Sequence, residues 1–393
     1  MSTARGVVSS WSAVGSRPVR VSSTEPIALV LTTNESSNEM FYFDSVGKAL
    51  DYFMLGRTQQ EIKTEINDGT IKGNLFKYLV WANNKYDLRI PTIVSVAAHD
   101  DDADTQKTNI INATADIKNA PAKFKMRPDI IAVPDFTTDE DVSMQLLATC
   151  DILRARTFID LAATDGSDAI TKRNNYGSER ATPTYCNLKD WSTLKDATET
   201  YSAAFILSIL RCAVDGSDTT RGVGWSFSLS NKLIPVSDAV NDVEFILGLG
   251  DETDLLTQNQ ITTFIEFNGT RVWNYQTCSA DPLLQDARRV RIFDKLTFAV
   301  LPAIFPLIDS DRGVQAVKEA KDTVRDFVAD MIGKEVLLGG IIELDTDLTT
   351  PTAITNGEFY LSVRTQENPV PTKIAVEFTR EDIFSSVVYK TLA

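Results

Sequence analysis

The chain has one histidine and four cysteines in 393 residues, and each scarcity excludes a class of chemistry. A hydrolase triad or a histidine-based metal site needs an imidazole with partners at recognisable spacing. His99 instead precedes Asp100-Asp101-Asp102 and reads as a surface histidine beside an acidic loop. Cys150, Cys186, Cys212 and Cys278 are far apart in apolar surroundings, without a Cys-x-x-Cys pair. That spacing predicts buried free thiols, not a zinc or redox centre. No glycine-rich phosphate loop is present. No apolar run approaches the roughly 18 residues of a membrane span; the longest candidate, Thr297 to Ile308, is broken by Pro302 and Pro306. Met1 to Arg20 lacks the apolar core of a signal peptide. Positive charge is short as well: 39 Lys and Arg stand against 54 Asp and Glu, a net −15 that argues against non-specific nucleic-acid binding. The expectation is no catalytic residue, no cofactor, no metal, no nucleic acid and no direct membrane insertion.

What is present is an ordinary globular composition, 43% hydrophobic and 24% charged, long enough for two or three domains. Met1 to Thr24 is small and polar, with three arginines, no acid, and too few apolar residues for a core. It reads as a terminal arm, and the alternation of Arg17, Val19 and Val21 allows a strand that orders against another subunit. From Pro26 strands and helices alternate. Ile27–Leu31, Pro91–Ala97, Asp129–Val133 and Phe158–Ala162 read as strands. Ser45–Leu55, Leu75–Trp81, a helix capped by Thr138 and running to Arg154, and Tyr201–Val214 read as helices. This order predicts a mainly parallel sheet covered by helices. Asp135, Asp160 and Asp165 sit at strand ends, where an α/β enzyme would place ligand contacts. Capping and turn roles are the commoner use of such acids.

After Gly248 the pattern changes. Asp251–Gln258 predicts a short helix, and Ile261–Asn268 and Arg271–Tyr275 predict a β-hairpin turned by Asn268-Gly269. Helices over Leu283–Leu301 and Arg312–Ile332 follow, then strands near Val336–Leu344, Glu358–Thr365 and Lys373–Thr379, a separate α+β unit. On the second helix Val317, Ala320, Val324, Phe327, Val328 and Met331 share one face. Lys318, Lys321 and Arg325 line one flank, with Glu319, Asp322, Asp326 and Asp330 opposite, as though charges were sorted to face two surfaces. Phe359, Leu361 and Val363 alternate in one late strand and Ile374, Val376 and Phe378 in the next, which predicts a hairpin through Asn368-Pro369-Val370-Pro371. Arg380 to Ala393 then carries Ile383, Phe384, Val387 and Val388 as apolar teeth without a core.

Several stretches resemble, in order, the contractile tail sheath proteins of bacteriophages (myovirus, P2-like) and tailocins. Arg127-Pro128-Asp129-Ile130-Ile131-Ala132-Val133-Pro134 resembles the family's [KR]-P-x-[IL]-[IL]-x-x-P strand. Gly224, Trp225, Ser230 and Asn231 match a G-x-W-x-x-x-S-N segment. Gly269-Thr270-Arg271-Val272-Trp273 resembles the start of G-x-x-[VLF]-W-G-N-R-T, where Asn274-Tyr275-Gln276 replaces Gly-Asn-Arg. A Ser279-Ala280-Asp281-Pro282 connector and a helix with Arg288, Arg289 and Arg291 follow. The resemblance runs from about Arg127 onward. It implies a structural subunit that polymerises helically round a tail tube and contracts to drive the tube through a cell envelope, a homo-oligomer in the virion tail, assembled in the host cytoplasm, with tube, baseplate and terminator proteins as partners. It implies an N-terminal linking arm over residues 1–24, an outer α/β domain over 25–250, an inner α+β domain over 251–379 and a C-terminal arm over 380–393. The inner domain carries the tube contact, and Lys318, Lys321 and Arg325 are its candidates. Val7, Trp11, Val19, Val21, Ile383, Phe384, Val387 and Val388 are the candidate inter-subunit arm residues. Phe359, Leu361, Val363, Ile374, Val376 and Phe378 form the candidate hairpin that receives them. The competing readings are an α/β hydrolase using the strand-end aspartates, or another virion component of baseplate or capsid.

Overall fold

A computed structural model of the chain describes residue 19 and residues 26–380, apart from residues 37, 87, 242, 247, 249, 310 and 312. Its first strand, β1 (Ile27–Thr33), is buried along its whole length. The pleat sends Ile27, Leu29 and Leu31 to one apolar cluster and Ala28 and Val30 to another, so both faces of the strand are covered and its sequence is a continuous apolar run. Next come β2 (Glu39–Phe43), α1 (Val46–Met54), α2 (Gln59–Asn67), α3 (Leu75–Lys85), β3 (Thr92–Ala98), α4 (Ala103–Asp116), α5 (Ala120–Phe124) and β4 (Ile130–Ala132). They form a sheet in the order β2-β3-β1-β4, parallel except for β2 at its edge. The chain continues through α6 (Glu140–Leu153), β5 (Thr157–Asp160), α7 (Gly166–Arg173) and β6 (Ala181–Thr184). β5 and β6 are parallel, and single parallel bridges, Ile130 to Arg156 and Thr184 to Thr262, extend the sheet on both sides of them. α4 and α6 cover one face; α1, α3 and the later α8 (Ala203–Asp215) cover the other. The predicted helix-covered, mainly parallel sheet is what forms.

Some elements escaped the sequence pattern. β7 (Leu188–Ser192), β8 (Ala197–Tyr201) and β9 (Asp238–Ala239) make a small antiparallel sheet. The charge of Asp190 hides β7, yet that carboxylate is buried and accepts from the Trp81 indole Nε1 (2.8 Å) and pairs with Lys85 (2.7 Å). Asp139, one residue after the expected Thr138, caps α6 by accepting from the Val142 amide. The expected hairpin forms as β10 (Thr263–Glu266) and β11 (Thr270–Trp273), after α9 (Glu252–Gln258). Glu266 pairs with Thr270, so the loop has three residues, Phe267 to Gly269, and not two. Asn268 and Gly269 both take positive φ, 53° and 100°.

The C-terminal part holds α10 (Ala287–Ile304), α11 (Val314–Gly333), β12 (Leu337–Leu344), α12 (Pro351–Thr355) and β13 (Leu361–Glu367). β12 and β13 form a two-stranded antiparallel sheet. α11 packs Val324, Phe327, Val328 and Met331 into a third apolar cluster with Ile292, Leu296 and Leu337. Trp225 and Val223 join that cluster from the loop after α8, and Val19 packs against it. The cores do not divide at residue 250: Leu256, Ile261, Phe264, Val272, Tyr275 and Ala287 all belong to the cluster of the large sheet. The third cluster begins with the next turn of α10.

The predicted terminal hairpin is the main correction. Residues 373–379 form no strand with β13; β13 pairs with β12 instead, across α12. Leu361 and Val363 lie in β13, Phe359 just before it, and Ile374, Val376 and Phe378 stand 81%, 70% and 94% exposed in a segment without regular structure.

Candidate functional site: a buried ionic junction beside an open hairpin

The strand-end acids are consumed by the fold. Asp160 accepts from the Ser202 hydroxyl (2.5 Å), the Ala204 amide (2.8 Å) and Thr184 Oγ1 (2.9 Å) at the start of α8. Burial raises its pKa, and those three donors oppose the rise. Asp135 accepts from the Tyr78 hydroxyl and from Asn74 Nδ2 (3.1 Å). Asn74 also ties down the end of β1, accepting from the Thr32 amide at 2.9 Å. At the strand ends, where α/β folds bind ligands, Asp160 and Asp135 are thus hydrogen-bonded to the chain's own side chains and amides. Asp165 caps α7, and His99 lies 3.4 Å from Asp101. All four cysteines are free and buried, and burial pushes the Cys278 thiol up to about 12. Among the described residues no group of three or more His, Cys, Asp or Glu is placed to hold a metal, and no helix is long and apolar enough to cross a membrane.

The unusual chemistry lies on α10. Arg288, Arg291 and Lys295 recur at spacings of three and four, hence on one helix face, and all three are buried. Arg291 reaches Asp129 at the foot of β4 (2.5 Å), both carboxylate oxygens of Asp215 at the end of α8 (2.6 and 2.5 Å), and the Trp225 carbonyl (3.1 Å). Arg211, one turn before Asp215, bonds that carboxylate (2.8 Å) and the carbonyls of Phe227 (2.6 Å) and Gly224 (2.9 Å). Lys295 is 3.5 Å from Asp129. Burial alone would raise both aspartates; Lys295 and Arg291 hold Asp129, and Arg291 and Arg211 hold Asp215, below the usual carboxylate range. On the next flank Arg156 (2.8 Å) and Arg180 pair with Asp294. Arg288 donates to the Ser226 carbonyl (2.6 Å) and the Asn368 carbonyl (2.7 Å), and Arg289 pairs with Glu367 (2.6 Å). One helix face therefore bolts the large sheet, the Trp225 loop and the end of β13 together. A buried pair of this kind contributes little over an apolar substitute, but losing one partner costs about 3–5 kcal/mol.

The first two matched stretches and the arginine-bearing helix meet in this junction. Asp129 comes from the first and Trp225 from the second. Gly224 lies against the Val214 and Asp215 carbonyls, where a Cβ has no room. Asn274, which replaces a glycine of the third, takes φ 73°, a conformation glycine adopts freely and asparagine tolerates. The partners of the α10 arginines were not legible beforehand, because they are 76 and 162 residues away.

β12 and β13 have no further strand beside them among the described residues. A groove of about 240 Å³ runs between α10, α11 and β13, lined by Phe293, Leu296, Val300, Val324, Phe327 and Val363. On α11 the expected sorting of charge is only partial. Arg325 pairs with Asp322 (2.9 Å) and Asp326 (3.5 Å) on its own helix, and Glu319 is buried. Lys318 is exposed and Lys321 half-buried, and neither makes an ion pair with a described residue. Of the expected arm residues only Val19 is described; Val7, Trp11, Val21, Ile383, Phe384, Val387 and Val388 lie outside the described residues.

No family model matches the chain. It is similar to a prophage major tail sheath protein of Pseudomonas aeruginosa (strain UCBPP-PA14), 24% identical over 252 residues, 63% of this chain and 64% of that one, so the match spans just under two thirds of that relative. It is 25% identical over 289 residues to the tail sheath protein of Escherichia phage P2, covering 68% of each. Its fold is similar to that of a chain in the contracted helical sheath of the anti-feeding prophage, with a TM-score of 0.68 at 16% identity, over 97% of this chain and 100% of that one.

Proposed function

We infer that this chain is a contractile tail sheath protein, a structural subunit and not an enzyme. The observation that carries this reading is the similarity of fold over nearly the whole chain to a solved sheath subunit, joined to sequence similarity with tail sheath proteins. The reading makes the protein a component of a phage or tailocin tail, assembled in the host cytoplasm, polymerised as a helical sleeve round a tail tube, and bounded by baseplate and terminator proteins. The large sheet forms the outer body, and the unit from α10 to β13 forms the inner one. Identical subunits repeated along an open helix meet through heterologous contacts, and contraction repacks those contacts while each body persists.

The linkage between subunits follows from the unpaired hairpin. Among the described residues β12 and β13 have two open edges, which favour added strands. The segment with Ile374, Val376 and Phe378 is a donor to a neighbour's hairpin, not part of the receiver, and residues 1–24 supply a second donor. Main-chain hydrogen bonds can then hold neighbours while globular faces slide. Ordering each arm costs roughly 1–2 kcal/mol of backbone entropy per residue, which restrains assembly until a template aligns the subunits. Lys318 and Lys321 remain the basic contact for an acidic tube; Arg325, engaged by Asp322 and Asp326, contributes less. Electron microscopy of the purified protein tests the reading: long hollow helical polymers are expected, and a protein that stays monomeric under every condition that polymerises other sheaths contradicts it.

A further inference from the structure

The segment after β13 poses a physical puzzle. It alternates apolar and polar residues, β13 beside it has an open edge, and a hairpin between them would bury Phe378 and Val376 along the groove that Val363 borders. The chain does not close that way. Asn368 is held at three points: its amide donates to the Val336 carbonyl (2.9 Å), its Nδ2 to the Glu335 carbonyl (3.1 Å), and its own carbonyl accepts from Arg288 (2.7 Å). Residues 369–379 then run exposed, and no described residue offers them a backbone hydrogen bond.

The sequence Asn368-Pro369-Val370-Pro371 explains why. A reversal with Pro369 at the first central position requires Val370 in the right-handed region for a type I turn or at positive φ for a type II turn. Pro371 disfavours the first for the residue before it, and β-branching at Val370 disfavours the second. Asn368 precedes a proline too and is pushed toward extended backbone. Asn368 and Val370 thus prefer extended backbone and the two prolines between and after them have fixed φ, so the stretch is a stiff spacer.

We propose that the Asn368 anchor and the Pro369-Val370-Pro371 spacer act as an anti-closure device: they stop the 373–379 strand from capping its own β13 and hold it out for a neighbouring copy. The inference rests on the strand-exchange reading for its purpose, but not for its immediate test. Self-capping would satisfy the donor and the acceptor within one subunit and leave it unable to join a polymer. Restoring a turn, by Pro369→Thr, Val370→Asn and Pro371→Gly together, permits a two-residue Asn-Gly reversal. It would set Ile374 opposite Glu367, Val376 opposite Thr365 and Phe378 opposite Val363.

Hydrogen exchange on the full-length unassembled subunit tests this directly. In the natural chain the amides of 373–379 are expected to exchange at unprotected rates; in the triple variant they slow by about tenfold or more, as for a formed strand, and polymerisation falls. Pro371→Ala alone, which frees Val370 with little risk to folding, is expected to give a smaller slowing. Protection of 373–379 in the natural monomer overturns the proposal, as does an unprotected segment in both variants. Protection gained in the triple variant with undiminished polymerisation leaves the spacer standing and refutes strand exchange instead.

Discussion

The unit around the large sheet and the unit around the β12–β13 hairpin spend their polar groups differently. In the first, strand-end acids meet hydroxyls and helix amides, and Asn74 bonds both the end of β1 and Asp135. In the second, both edges of the hairpin are open among the described residues, and Leu301, Phe305, Ile308, Val363, Ile374, Val376 and Phe378 stand exposed. A closed body beside an open one is what the proposed strand exchange between copies would need. The ionic face of α10 matters because it joins the two, so that a pull on the hairpin reaches the sheet through Arg288, Arg289 and Arg291.

Breaking the junction should give the largest effect on the isolated subunit. Arg291→Ala leaves Asp129 and Asp215 buried with fewer cations, and a loss of about 3–5 kcal/mol is expected in urea unfolding of the unassembled protein. A loss below 1 kcal/mol would remove the junction from the account. Acid should weaken the same contact. The folded-state pKa values of Asp129 and Asp215 are depressed, so their contribution is complete above the unfolded carboxylate value, about 3.9, and drains away as the pH falls below it. Unfolding midpoints followed from pH 6 to pH 2 should therefore drop faster in the natural protein than in Asp215→Asn, which is already weakened.

The sequence disclosed the closed body far better than the junction. β1, β3, β4 and β5 were legible because strands buried on both faces are uninterrupted apolar runs. α6 was legible from its 3.6-residue period, although Asp139 and not Thr138 caps it, and α8 from a long apolar run with small residues that the fold buries almost entirely. β7 was not, since its Asp190 is polar by sequence and buried by pairing with Trp81 and Lys85. The arginines of α10 were conspicuous, but nothing local reveals that Asp129 and Asp215 meet them. The last hairpin was misread because alternation at 359–363 and 374–378 is a period-2 signal that says strand without naming the partner. The proline spacing at 369 and 371, read for its turn chemistry, argues against reversal.

The open unit should answer mutations in the opposite way to the closed one. Ile374→Ser, Val376→Ser and Phe378→Ser together remove apolar groups that are already solvated, so the stability of the unassembled subunit should change by no more than about 0.5 kcal/mol. Polymer yield by sedimentation and electron microscopy should fall sharply. A large stability loss would mean these residues pack within their own subunit. The smallest effect belongs to the tube contact, because exposed ion pairs contribute only about 0–1 kcal/mol each. Lys318→Glu with Lys321→Glu should reduce assembly on the tube while sparing tube-free polymers, and Arg325→Glu should do less. Equal effects from the three positions would restore the basic stripe as a unit.

The most direct test is a reconstruction of the assembled polymer by cryo-electron microscopy, at a resolution that traces the main chain across subunit boundaries. Strand exchange requires residues 373–379 of one copy to lie hydrogen-bonded along the open edge of the β12–β13 hairpin of another, with Phe378 turned into its groove. Finding that segment folded back on its own β13, or the hairpin edges unoccupied in a complete sheath, would contradict it.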